Sequence, residues 1–357
     1  MSAEEEIKKI EEEIAKTPYN KATQKHIGML KAKLARLKAG AEKAGKKGAG
    51  YSYAVKKAGD ATVLLVGFPS VGKSTFINKI TNAESKVAEY DFTTIDVVPG
   101  VLEYNGAKIQ VLDIPGIIEG VAGGRGRGKE ILSVVRNADL ILIMVTADKA
   151  EQQLAVIKKE LYGAGFRLNE KPPEVKIIKK NTGGIKVSST VKLKDINENI
   201  IRSVLNEFNI LNAEVIIREN IGLDRFIDAL MENKIYVPAI ILLNKIDVVK
   251  PKKLNMPEGY LPISALKDIN LEAVKQKIWE KLNFMRVYLK KIGKNPDLKE
   301  PLIMNAGCTI EYVCKKIHNR FIKDFRYARV WGSSKFPGQK VGIDYKLKDK
   351  DIVELHL

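Results

Sequence analysis

Sulfur is scarce in this chain of 357 residues, which has only two cysteines, Cys308 and Cys314, and three histidines. Two thiols at that spacing build no disulfide framework, and with the histidines scattered they match no zinc pattern. Both are expected to be reduced thiols, as in a cytoplasmic protein. Long apolar runs are also missing. None approaches the ~18 residues that cross a bilayer, so no membrane-spanning helix is expected. The start is charged from Glu4 onward and is not expected to be a signal peptide. Acidic residues are the third shortage: 61 Lys/Arg face 43 Asp/Glu, a net charge of +18. Surplus lysine that only solvates the surface is one reading. A polyanionic partner, RNA or a ribonucleoprotein, is the favoured one, because the charge is uneven and residues 286–357 carry 16 Lys/Arg against 8 Asp/Glu.

What is present is clear punctuation. Ile7, Ile10 and Ile14 fall at helical spacing, with Ser2 as a cap; Thr17-Pro18 interrupts, and Ile27, Leu30, Leu34 and Leu37 mark a second amphipathic helix. The glycines from Gly40 to Gly50 read as a linker. This hairpin either packs on the main domain or serves as a docking arm. From Thr62 the texture changes to short apolar strands at Thr62–Val66, Lys108–Leu112, Leu140–Val145 and Ile240–Leu243, alternating with helices. That pattern predicts a mostly parallel sheet with helices on both faces. About seventy extra residues precede Ile240, with strands at Val175–Ile178 and Ala213–Ile217 and helices at Ile196–Phe208 and Leu223–Met231. They predict a small α+β insert, since a structureless loop of that length is unusual. Beyond Arg286 come a strand near Val287–Leu289, a helix from Thr309 to about Phe321, and strands at Ala328–Trp331 and Ile352–Leu357. Strands around one helix in so few residues suggest a β-grasp module.

Three motifs sit at carboxyl ends of the predicted strands, where ligands bind in such sheets. Gly67-Phe68-Pro69-Ser70-Val71-Gly72-Lys73-Ser74-Thr75 is a phosphate loop. Gly67 and Gly72 let backbone N–H groups turn inward at a phosphate, the following helix adds its positive end, Lys73 adds a point charge, and the Ser74 hydroxyl is a magnesium ligand. Alone, such a loop says only "nucleotide". Asp113-Ile114-Pro115-Gly116 supplies a carboxylate that holds magnesium through water and a Gly116 N–H that senses a γ-phosphate. Asn244-Lys245-Ile246-Asp247 selects the base: Asp247 accepts from N1–H and N2–H₂ of guanine, and adenine offers no such donor pair. Ser264-Ala265-Leu266 offers a backbone N–H to guanine O6. Between the first two motifs, Phe92-Thr93-Thr94-Ile95-Asp96 holds two adjacent threonines, of which Thr94 is assigned as the further magnesium ligand.

These strings carry a family resemblance. GFPSVGKST (67–75), YDFTTIDVVPG (90–100), DIPGIIEG (113–120) and NKID (244–247) resemble the developmentally regulated GTP-binding proteins of the Obg superfamily, in their archaeal and eukaryotic form. The resemblance covers nearly the whole chain. It implies an α/β fold with a phosphate-loop GTPase domain in two parts (60–164 and 238–285). An inserted domain like the second domain of ribosomal protein S5 spans 165–237. A helical hairpin and linker occupy 1–59, and a C-terminal TGS domain of β-grasp type 286–357. It implies GTP or GDP with Mg²⁺ at the residues above, Lys73, Thr94 and Gly116 assisting hydrolysis, an RNA- or ribosome-facing TGS domain, and a small stabilising protein partner. A monomer is the default. Ile117 stands where Ras-like proteins place the glutamine that orients water, so slow intrinsic turnover is expected. Potassium stays open, since relatives that use it hold it with an asparagine where this chain has Ser70. Arg125 and Arg127, flanked by glycines, are either a solvated loop, the favoured reading, or an internal arginine finger or RNA contact. In the last module, Lys315, Lys316, Arg320, Lys323, Arg326 and Arg329 are interleaved with Tyr312, Phe325, Tyr327 and Trp331. Either they form a phosphate-binding face with base stacking, or the aromatics are core. We expect aromatics mostly in the core and charges partly functional. Two functions are therefore carried forward, a GTP-hydrolysing switch on RNA or the ribosome and an RNA-binding scaffold whose nucleotide is structural.

Overall fold

A computed structural model describes residues 3–18, 20, 23–44, 59–81, 98–113, 137–231, 233–248 and 259–357. In chain order the elements are α1 (Ala3–Lys16), α2 (Gln24–Ala44), β1 (Ala61–Gly67), α3 (Lys73–Ile80), β2 (Val98–Tyr104), β3 (Ala107–Asp113), β4 (Leu140–Thr146) and α4 (Ala150–Gly163). There follow β5 (Phe166–Leu168), β6 (Val175–Lys179), β7 (Ile185–Ser189), α5 (Glu198–Glu207), β8 (Ala213–Ile217), α6 (Leu223–Leu230), β9 (Ile235–Val237), β10 (Ala239–Asn244) and β11 (Tyr260–Pro262). The last stretch holds α7 (Leu271–Lys281), β12 (Phe284–Leu289), β13 (Leu302–Asn305), α8 (Ile310–Ile317), α9 (Arg320–Asp324), β14 (Tyr327–Trp331), β15 (Gln339–Val341) and β16 (Asp351–His356). The chain sorts into two compact units, Met1–Ser52 with Gly165–Tyr236, and Tyr53–Ala164 with Val237–Leu357.

The second unit is built on a six-stranded sheet in the order β11-β10-β4-β1-β3-β2. β1 and β4 are apolar but for Thr62 and Thr146 and almost wholly buried, as expected of central parallel strands covered on both faces. β2 runs antiparallel to β3 at the edge, through seven paired positions from Val98↔Asp113 to Tyr104↔Ala107. Its turn is Asn105-Gly106, both at positive φ, the signature of a tight two-residue hairpin. The sequence pattern did not show β2, because its Pro99-Gly100 reads as a breaker. Beyond α7 a five-stranded sheet follows in the order β13-β12-β16-β14-β15, with β12 and β16 parallel at its centre. With α8 laid on it, this is the expected β-grasp. The helix expected from Thr309 to Phe321 is instead two, because His318 is extended (φ −168°, ψ 136°) between α8 and α9. Ile303 of β13 belongs to the core cluster of the six-stranded sheet, whereas Met304 beside it faces the β-grasp core.

The first unit joins the N-terminal hairpin to the insert. A three-stranded sheet in the order β6-β8-β7 is covered by α5 and α6. The Asn197 side chain accepts from the Ile200 N–H at 3.0 Å and caps α5. α2 lies on α5, with Ala32 fully buried among Ile200, Val204 and Leu223. Lys31 Nζ reaches Asp224 at 2.8 Å, and Arg36 Nη1 donates to the Glu207 carbonyl at 2.6 Å, satisfying an acceptor at the end of α5. The helix runs through Gly40 to Ala44, so the linker does not begin at that glycine; its other glycines lie outside the described residues. The insert also holds a buried pair: Arg167 Nη2 donates to Asp228 Oδ1 at 2.7 Å, with side chains 3% and 6% accessible.

Candidate nucleotide site

β1 delivers the chain to the phosphate loop, and the turn closes because Ser70 and Gly72 both adopt positive φ, 60° and 103°. Gly72 has a second reason to be glycine. A Cβ there would stand 2.5 Å from Asn244 Nδ2. Lys73 opens α3 and curls back, donating to the Gly67 and Phe68 carbonyls at 3.0 and 3.2 Å. Asn244, the last residue of β10, ties the site together. Its Nδ2 donates to the Val71 carbonyl at 2.7 Å, and its Oδ1 accepts from the Ala265 N–H at 3.0 Å. Lys245, at φ 64°, sends Nζ to the Ser70 carbonyl at 2.8 Å. One side chain thus fixes the phosphate loop, and its neighbour clamps it, from the loop that follows β10.

A pocket of about 520 Å³ lies between these loops. Of the residues named from the sequence it is lined by Ser70, Gly72, Lys73, Ser74, Thr75, Asn244, Lys245, Asp247, Ser264, Ala265 and Leu266. Phe68 and Val71 instead pack into the core, and Gly67, Pro69 and Ile246 shape the loops without lining the cavity. Asp247 is held ionised: the Ser264 hydroxyl bonds its carboxylate and, against a smaller cost of burial, keeps it below the usual carboxylate range, with Lys267 and Lys245 adding positive charge. Lys267 Nζ lies 3.9 Å from Asp247 Oδ2. Asp113 behaves in the opposite way. Burial raises its pKa, the charge of Lys73 opposing, and Oδ1 is buried with no hydrogen-bond partner among the described residues. The sequence reading missed Val248, which lines the pocket at 75% exposure beside Leu266 at 72%. Only its place after Asp247 hinted at it. Phe92, Thr93, Thr94, Ile95, Asp96, Ile114, Pro115, Gly116, Ile117, Arg125 and Arg127 lie outside the described residues. A larger groove of about 640 Å³, lined by Asp60, Asp139 and Lys316 among others, opens at the amino ends of β1 and β4. That is the wrong end of the sheet for the motifs.

Family models match the whole span from β1 onward: "50S ribosome-binding GTPase" over 62–180, the C-terminal region of that domain over 182–284, and "TGS domain" over 285–357. The chain is 46% identical to the Developmentally-regulated GTP-binding protein 1 homolog of Dictyostelium discoideum, over 99% of each chain. It belongs to the developmentally-regulated GTP-binding protein family. Human Developmentally-regulated GTP-binding protein 2 is 42% identical over 98% of each chain. An uncharacterized GTP-binding protein of Methanocaldococcus jannaschii is 55% identical over 99% of this chain and 93% of its own. A member of this family is a GTP-binding protein, and GTP hydrolysis is the family's general activity.

The TGS domain corrects one expectation. Its aromatics are not mostly core: Tyr312 is 50% exposed, and Tyr327 and Trp331 alternate with the buried Ala328 and Val330, so they stand on the outer face of the sheet. Phe325 alone of the four packs against the core cluster. The two outer rings are already covered. Lys340 Nζ sits 4.0 Å over Tyr327, whose ring also stacks on His356 at 4.3 Å, and Lys290 Nζ sits 4.7 Å over Trp331. The face therefore presents the exposed Arg329 and Lys340, with Lys290 ion-paired to Glu354, rather than bare rings. Burial pushes the Cys308 thiol up to about 11, which suits an inert thiol.

Proposed function

We propose that this protein is a slow GTP-hydrolysing switch that binds the ribosome or structured RNA, its nucleotide state setting that affinity. The observation that carries the reading is the single pocket in which an ionised, Ser264-bonded Asp247 and the Lys73 loop are joined through Asn244. A fixed carboxylate rewards the guanine edge and penalises adenine, which leaves it unpaired. Lys73 and the positive end of α3 serve the phosphates. The orphan oxygen of Asp113 near the Lys73 charge, with the Ser74 hydroxyl in the pocket, is a donor set that fits a hydrated Mg²⁺. In this reading Ser74 and Thr94 hold the ion directly, Asp113 holds it through water, and Thr94 with Gly116 reports the γ-phosphate. The ion would neutralise charge on the phosphates when bound. Ile117 cannot orient water, so basal turnover belongs near the ~10⁻⁴ s⁻¹ of unassisted switches. The ribosome reading is supported by the +18 charge, by Arg329 and Lys340 on the outer face of the TGS sheet and by the ribosome-binding family model that the chain matches.

The test is GTP hydrolysis with and without ribosomes, in sodium and in potassium buffers, with Asp247→Asn as control. Stimulation by ribosomes is expected. Tight GTP binding with no stimulation would move the assignment to an RNA-binding scaffold with a structural nucleotide. A fast basal rate without any partner would sink the slow-switch reading.

A further inference from the structure

The geometry points to a mechanical link between the nucleotide pocket and the TGS domain through the β2–β3 hairpin; we propose that this hairpin makes the state of one site felt at the other. The inference rests on the GTP-site reading above and names a regulation of that site.

Both ends of the hairpin are tightly engaged. At the pocket end, β3 finishes at Asp113, which pairs with Leu65 of β1, and β2 begins at Val98, two residues past the sequence-assigned 92–96 loop. The helix that follows the phosphate loop presses on β2. A Cβ on Gly100 would stand 2.5 Å from Thr81 Cγ2 and 2.9 Å from Ile77 Cγ2. At the far end, the Asn105-Gly106 turn meets the TGS domain. A Cβ on Gly106 would stand 2.5 Å from Pro301 Cγ. Tyr104, the last residue of β2, sets its ring edge-on to Trp279 at 6.3 Å; Trp279 meets Phe284 edge-on at 5.6 Å. The Arg286 guanidinium lies 5.6 Å over Trp279 and is itself held by Asp349 at 2.7 Å.

Seven paired positions join the two ends, so the hairpin moves as a piece or not at all. Close-packed contacts have little room for a graded response; a shift of the strands at one end must displace the partners at the other. Because binding linkage is reciprocal, an occupant of the TGS domain that prefers one hairpin position changes the preference of the pocket between GTP and GDP by the same factor.

Trp279 is a built-in reporter, since the chain has only one other tryptophan, Trp331. In the full-length Trp331→Phe protein, Trp279 emission is compared with GDP and with a non-hydrolysable GTP analogue, each with Mg²⁺, while a fluorescent nucleotide titration verifies occupancy. The expected result is a different emission in the two states. Tyr104→Ala and, as a milder change, Pro301→Ala are then expected to shrink that difference. They should also bring the ratio of GTP-analogue to GDP affinity closer to one. GDP affinity itself and the cooperative melt should be retained. Equal emission with both nucleotides verifiably bound would overturn the link, as would an unchanged affinity ratio in both variants. Failure of either nucleotide to bind would instead overturn the GTP-site reading on which the link depends.

Discussion

In the proposed GTP site, Asp247 is the residue on which base selection would turn. Its carboxylate has the Ser264 hydroxyl on one side and two lysine charges nearby, so it meets a base already ionised and aimed. Replacing one carboxylate oxygen by an amide turns an acceptor into a donor facing guanine's own donors. Two charge-assisted hydrogen bonds at about 1.5–3 kcal/mol each are at stake. Asp247→Asn is therefore expected to weaken GTP and GDP binding at least a hundredfold, with the melting temperature of the nucleotide-free protein little changed; equilibrium titration and a thermal melt check both. An unchanged guanine affinity would mean that the pocket reads its base elsewhere.

At the scale of elements, the buried Arg167–Asp228 pair fixes β5 against α6 inside the insert. Removing one partner leaves a charge stranded in a site that excludes water. Arg167→Met is expected to cost about 3–5 kcal/mol, reduced by the nearby Lys234, whereas Arg167→Met with Asp228→Leu should recover most of that loss. Denaturant titration of the two variants against the parent decides it, and equal losses would show that shape rather than charge holds this contact. The main helices and central strands were legible in the sequence because burial imposes their period: β1, β4 and β10 are apolar runs, and α5 repeats at 3.6. The edge strand β2 and the strands β5, β7, β9, β11, β13 and β15 were not. β2 carries the Pro99-Gly100 breaker, and the others are only three to five residues long and mixed in character. His318 explains the missed break in the β-grasp helix, since no proline or glycine marks a residue forced into extended backbone by its surroundings. In the pocket, the motifs gave the lining almost completely, and Val248 escaped because an exposed valine after a motif has no signature of its own.

For the molecule as a whole, the first unit is assembled from chain segments separated by part of the GTPase domain. α1 buries Ile10 and adds ion pairs to α2 such as Lys38–Glu11 at 2.7 Å, whereas α2 buries Ala32 against the insert. Deleting residues 1–44 is expected to uncover the faces of α5 and α6 that carry Ile200 and Leu223. The truncated protein should bind a hydrophobic dye and lose the cooperative melt of this unit, and still titrate with GDP. A truncation that melts like the parent would show the hairpin to be an appendage.

That arrangement also has a consequence in time. The Gln24 side chain donates to the Asp195 carbonyl and Arg36 to Glu207, each across 171 positions of chain. At the ~5–20 residues per second of protein synthesis, the hairpin emerges roughly 10–30 s before the surface it covers exists. In that interval its apolar stripe has no native partner on the nascent chain, and the phosphate loop and first strands are made in between. The insert is therefore sealed late, by a piece of chain translated well before it.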